Sequence, residues 1–376
     1  MVIYCGHNEF SSRLDAGRDL DYYVDGRAPG LWRRLRDRAE AVSSLCELIR
    51  RASERCRLGI PPPPYGNRDL IDTPAYTPEE SSLLLADFRR RLEAIVSYAR
   101  KLGAIVVLIS PPGNDAGFEP NRSFLPAATP RREREDFRRD FLATRALEAS
   151  DPPAAIAAYR ALIARQPGFA ESHYRLALLL DRADDREGAY RHFIAARDHD
   201  GYPIRCLSPF QDVYRELAAR HDVILIDGQA ELHAIGRRGL LDDHLFQDAM
   251  HPSLRGQIAL AQAILRELRA RHAFGWPEDT PAPLIEPAEC VAHFGLIREA
   301  WKKIILWGVH FGNYSQGLRY DPENRLEKRR IYAEAFDRLA AVETVEALGL
   351  PNVGIPEPVP TVGNPSPPRM TRRDPP

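Results

Sequence analysis

Two short stretches hold side chains of the types that chemistry uses. Asp248-Ala249-Met250-His251-Pro252 places a carboxylate three residues before an imidazole, close enough for one loop to hold both side chains together. An imidazole can move a proton near neutral pH, and a neighbouring carboxylate can fix its tautomer. The same spacing also serves as a plain hydrogen bond at a helix start. The second stretch is Gly6-His7-Asn8-Glu9, which alone reads as a turn. His7 and Glu9 are metal-ligand types, but no third ligand has a suitable local spacing, so neither metal nor cofactor is expected. His244 lies near the first stretch and is expected at the surface. The cysteines are Cys5, Cys46, Cys56, Cys206 and Cys290. Their odd number and long, irregular spacing argue for reduced thiols, against a disulfide framework or zinc finger.

The elements that must position these residues follow an α/β pattern. Val2 to Cys5 reads as a strand ending in the Gly6 loop, with Cys5 packed within it. Residues 31–57 and 78–102 carry helical periodicity. In the second, Leu83, Leu84, Phe88, Leu92, Ile95 and Val96 recur at three- and four-residue spacing, with Thr77-Pro78-Glu79-Glu80 as a start signal. Pro61 to Pro64 mark an extended linker. Gly103 to Ile109 reads as a strand apolar on both faces, which suggests a parallel sheet covered by helices. Val223 to Ile226 reads as a third buried strand, ending at Asp227-Gly228. Residues 242–252 form a polar loop, and Ser253 caps the helix that follows.

Between these strands the composition shifts. Ala155 and Ala189 stand 34 residues apart, as do Tyr159 and Phe193. Small and aromatic residues at that period resemble the tetratricopeptide repeat. Residues 170–201 make the better repeat; the one before is degenerate. Two repeats are too few to stand alone, so they are expected to lean on a neighbouring domain. An ordinary helical hairpin insertion is the alternative. After Phe274 a helical annex follows, with Trp301, Ile304, Ile305 and Trp307 in one helix, and a Pro-rich, extended or disordered tail starts at 350.

Taken together and in this order, Gly6-His7-Asn8, Asp227 after its strand, Asp248-x-x-His251 and His251-Pro252-x-x-x-Gly256 resemble the SGNH (GDSL-like) hydrolase family. The resemblance is in particular to a bacterial branch with tetratricopeptide helices inserted. The resemblance covers residues 1–272. It implies a three-layer parallel-sheet hydrolase fold in two parts, 1–130 and 206–272, around an all-α insertion at 131–205. A helical annex at 273–349 and the tail at 350–376 follow. It also implies ester hydrolysis, with His251 as base, Asp248 as its orienting carboxylate, and Asn8 and Gly6 at the oxyanion hole. The substrate would be an acyl or acetyl ester, on a small molecule, a carbohydrate or a lipid.

The family's nucleophilic serine motif and its oxyanion glycine are not in this sequence. Ser11, Ser12, Ser110 and Ser253 are poor substitutes by position. Only three of the family's five strands are present, so Val2 to Cys5 would be an open sheet edge. The expectation is therefore a late gene start, with roughly a hundred further N-terminal residues in the native protein, and no activity from residues 1–376 alone. A non-catalytic interaction protein, binding a protein partner through its helical repeats, is the alternative. The 376 residues allow two or three domains at roughly 150 residues each. Basic and acidic residues number 52 and 53, a balance that excludes a chain-wide basic field and disfavours nucleic acid. Only Lys101, Lys302, Lys303 and Lys328 are lysines, which reads as a coding bias. No apolar run approaches the ~20 residues of a membrane helix. As written, with no leader, the chain is expected in the cytoplasm.

Overall fold

The computed structural model describes residues 1–7, 9–10 and 68–360. Among these the chain is a mixed α/β protein, mostly helical, with a small parallel sheet of three strands in the order β1-β2-β3. The strands are β1 (Val2–Ile3), β2 (Val107–Ser110) and β3 (Ile224–Asp227). Val2 pairs with Val107, and Val107 to Ser110 pair in register with Ile224 to Asp227.

The strand expected over 103–109 starts four residues later. Gly103 instead adopts a left-handed conformation (φ +73°). The N–H groups of Gly103 and Ala104 bond back to Arg100 and Ala99, closing the preceding helix. That helix, α1 (Pro78–Lys101), begins where its sequence signal lies. The Thr77 hydroxyl accepts from the Glu80 N–H, and the Glu80 carboxylate accepts from the Thr77 N–H. The helix expected over 31–57 and the Pro61 linker lie outside the described residues.

Strand alternation sends buried side chains to both faces of the sheet. On one face, Ile3 and Leu108 pack against Leu84, Phe88 and Leu92 of α1 and against Phe210, Val213 and Leu217 of α6 (Ser208–Arg220). On the other, Val107, Ile109, Ile224 and Ile226 meet Leu232 of α7 (Gly228–Ile235) and Ala259, Leu260 and Ala263 of α8 (Leu254–Ala270). Each buried Leu, Ile or Phe contributes about 1.5–3 kcal/mol. β1 pairs with β2 alone among the described residues, and Val2 stays exposed at the sheet edge.

Between β2 and α6 the chain makes four helices: α2 (Arg131–Leu147), α3 (Pro152–Arg165), α4 (Ala170–Arg182) and α5 (Arg186–Asp198). Each packs on the next. The spaced pairs Ala155/Ala189 and Tyr159/Phe193 all lie in the core of this unit, with Phe137, Phe141 and Phe169. It leans on the sheet-bearing part through the Tyr174 hydroxyl, which donates to the Ala116 carbonyl, and the Glu171 N–H, which donates to the Ser123 hydroxyl.

The annex comprises α9 (Pro287–His293), α10 (Arg298–Ser315) and α11 (Glu323–Arg338). α10 and α11 approach closely because Gly308 has no side chain; a Cβ there would stand 2.4 Å from the Tyr332 ring. The packed region runs past the expected boundary at 350. Leu350 and Val353 are buried in the annex core, and Asn352 accepts from the Tyr332 hydroxyl and donates to the Phe246 carbonyl. An apolar pair three residues apart, with a buried amide between, is enough to hold that segment despite its prolines. No helix among the described residues is long and apolar enough to cross a membrane.

Candidate active site

The loop between α7 and α8 is closed on itself before it holds anything else. Ser253 N–H donates to the Leu245 carbonyl, and Gln247 N–H donates to the His251 carbonyl. The Ser253 hydroxyl accepts from Gly256 N–H at the start of α8 and donates to the His244 carbonyl, so this serine is a helix cap.

Inside the closed loop lies the Asp248 carboxylate, fully buried. Its Oδ1 accepts from the N–H groups of Met250 and His251, both at 2.8 Å. Its Oδ2 accepts from His251 Nδ1 at 2.6 Å. Since Nδ1 carries the proton, the neutral ring presents its lone pair at Nε2. The His251 side chain is 56% exposed, so that lone pair faces a reachable surface. Burial pushes the Asp248 carboxyl up, but the His251 hydrogen bond and charge and the two backbone N–H groups outweigh it and hold it below the usual carboxylate range. The Asp248 hydrogen bond raises His251, against the opposing effect of its partial burial.

A residue that sequence reasoning placed only in an annex helix completes this arrangement. Trp307 of α10 donates its indole N–H to Asp248 Oδ2 at 2.7 Å. Its ring stands edge-on to the His251 ring, with centroids 6.2 Å apart. A signal was present. At 100° per residue, Trp307 lies about 240° around the helix from Trp301, off the stripe that Trp301 and Ile305 form.

Asn114, also unforeseen, fixes the loop from the β2 side. Its backbone N–H donates to the Ala249 carbonyl, its side-chain amide to the Asp248 carbonyl and to Asp243, and its Oδ1 accepts from Gly117 N–H. The segment after β2 is itself held by buried guanidinium groups. Arg205 donates to the Asn114 and Phe118 carbonyls. Arg325 donates to the Glu119 carbonyl and Asn121, and lies 4.1 Å over the Phe118 ring. Arg319 donates to the Pro120 carbonyl and Glu171. Burial works against ionisation of Glu119, yet Arg319, Arg325 and Lys328 hold its carboxyl down to about 2.

The end of β1 reaches the same place. Gly6 sits at φ +119°, where a side chain would be strained, and a Cβ there would lie 3.3 Å from Cys206 Sγ. His7 is buried. Its Nδ1 accepts from the Cys206 N–H, leaving Nε2–H toward the Tyr4 hydroxyl. Burial first, then repulsion from His251, lowers its pKa to about 3, so it is a neutral structural residue beside the pair. Asn8 lies outside the described residues, as do Ser11 and Ser12.

The remaining residues singled out have other tasks. Ser110 is buried and donates to Asp227. Asp227 caps α7 at Ala230 N–H and pairs with Arg215. Cys5, expected packed within the first strand, lies beyond the end of β1 and is exposed, with its thiol against the Tyr214 hydroxyl. His244, expected at the surface, is largely covered, with its Nδ1 3.3 Å from Asp242. Among the described residues no serine, threonine or cysteine hydrogen-bonds His251. Nor does any group of three or more histidine, cysteine or acidic side chains among them converge as metal ligands.

No family model, curated protein or solved structure matches the chain.

Proposed function

We propose that the chain is part of an SGNH-type hydrolase acting on ester bonds. In it His251 Nε2 removes the nucleophile's proton and returns it to the leaving alcohol, while Asp248 fixes the ring and stabilises the imidazolium. The observation that carries this reading is the 2.6 Å bond between a fully buried carboxylate and an imidazole whose far nitrogen is reachable. Its position adds support. His7, just beyond the end of β1, is close enough for His251 to repel its protonated form. The carboxyl end of the strands is where α/β proteins gather their sites. Helices on both faces of a parallel sheet suit the three-layer hydrolase fold, of which these strands would be the last three. Asn8 would donate to the oxyanion at the β1 end, beside the Gly6 turn.

The described residues supply a base and its orienting group, and the nucleophile lies outside them. A fluorophosphonate probe, which phosphonylates activated serines with loss of fluoride, tests this on the protein isolated from its own cells. His251-dependent labelling is expected, and the labelled peptide identifies the serine. No labelling, or labelling unchanged in His251→Ala, overturns the reading. The alternative, a binding protein built on its helical hairpins, is favoured by one observation: no described hydroxyl or thiol meets His251.

A further inference from the structure

We propose that Trp307 is a positioning residue of the Asp248–His251 pair, so that the C-terminal annex holds the Asp248 carboxylate, and through it the His251 ring, in place. The functional weight of this rests on reading His251 as a base, but the hydrogen-bond chain can be measured with no substrate.

Asp248 receives four donors: Met250 N–H, His251 N–H, His251 Nδ1 and Trp307 Nε1. The first three belong to the same short loop and would turn with it. Trp307 alone comes from elsewhere, 59 residues along the chain, and so ties the carboxylate to the rest of the molecule. It also shares Oδ2 with His251 Nδ1, which makes the two donors competitors for one oxygen. Its ring plane lies 78° from that of His251, so its edge limits rotation of the imidazole.

Trp307 is 44% exposed, but the helix that carries it is well packed. On its helix the next residue, Gly308, lies against Tyr332, and one turn on Phe311 packs on Phe118. The space between this face of α10 and the loop is a cavity of only about 40 Å³, lined by Asn114, Phe118, Asp248, Gly308 and Phe311 among others. That is room for a few waters at most, so the Asp248 end of the bond is shielded from water, while the Trp307 side lies 44% exposed.

An N–H donating to a buried carboxylate spreads its charge and weakens its hold on the imidazole proton. Among the described residues, the titratable groups that interact with His251 are Asp248 on its own loop and His7 beyond the end of β1, whose pKa is lowered to about 3. Removing the indole N–H should therefore raise the midpoint at which His251 titrates.

The test is NMR on the full chain carrying ¹⁵N-labelled histidine and tryptophan, titrated from pH 5 to 9. The Trp307 indole N–H is expected downfield of the indoles of Trp32, Trp276 and Trp301, and it should move with the midpoint of the His251 ring nitrogens. That movement should vanish in His251→Ala. In Trp307→Phe the His251 midpoint should rise by about half a pH unit. A Trp307 resonance that ignores the His251 titration overturns the proposal, as does an unchanged midpoint in Trp307→Phe. If Trp307→Phe does not fold, the wild-type and His251→Ala titrations decide alone. Co-titration, with no fluorophosphonate labelling of the protein isolated from its own cells, would leave the proposal standing and remove the hydrolase reading.

Discussion

His251 couples the fold to pH through its bond to Asp248. Its folded-state pKa is raised, first by the Asp248 hydrogen bond. Its share of stability is therefore complete below the unfolded histidine value of about 6.5 and is lost as pH rises through the folded value. The urea midpoint difference between wild type and His251→Gln should be widest near pH 6 and shrink toward pH 9. A difference that grows with pH would contradict the ion pair. Asp248 runs the other way: its lowered pKa stabilises above about pH 3.9 and fails as acid protonates it. The pair was legible in the sequence because its members stand three positions apart in one loop, so no knowledge of tertiary structure was needed. Trp307 was not, because its partner lies 59 residues away and its helix also carries a core tryptophan, Trp301.

At the scale of elements, local signals and long-range clamps divide the work. The capping box at Thr77 and the Ser253 cap were readable because a helix start is written within four residues. The late start of β2 was not, because Gly103 and Ala104 spend their N–H groups on the end of α1, a choice that apolar content alone does not reveal. Asn114 bridges β2's exit segment to the dyad loop, and its value comes from partners more than a hundred residues distant. Asn114→Ala leaves the Asp248 carbonyl and Gly117 N–H unpaired. It should cost about 2 kcal/mol and speed amide exchange at 249–251; unaltered exchange would show that the loop holds itself. Arg325→Met strands Glu119 beside the remaining clamps. It is expected to lower stability by about 3 kcal/mol in urea unfolding, and a neutral result would mean that Arg319 and Lys328 suffice for Glu119.

For the whole molecule, the order of strands and helices was readable from periodicity, but the way the parts close on one another was not. The annex looks separate along the chain, yet Trp307, Arg319, Arg325 and Lys328 all reach the loop beside the sheet. Leu350, Asn352 and Val353 draw the start of a Pro-rich tail into the annex core. The candidate site is thus shared between the sheet-bearing part and the annex. The spaced small and aromatic residues at 155–193 lie in the core of a helical unit that leans on the sheet-bearing part through Tyr174 and Glu171. The central claim is that His251 is the general base of an ester hydrolase. Its most direct measurement is the hydrolysis of 4-nitrophenyl acetate by the protein isolated from its own cells, beside its His251→Ala variant. Turnover that falls by on the order of 10⁴-fold in the variant is the predicted result, the scale seen when a triad member is lost. Equal rates in the two proteins, or none in either, would contradict it.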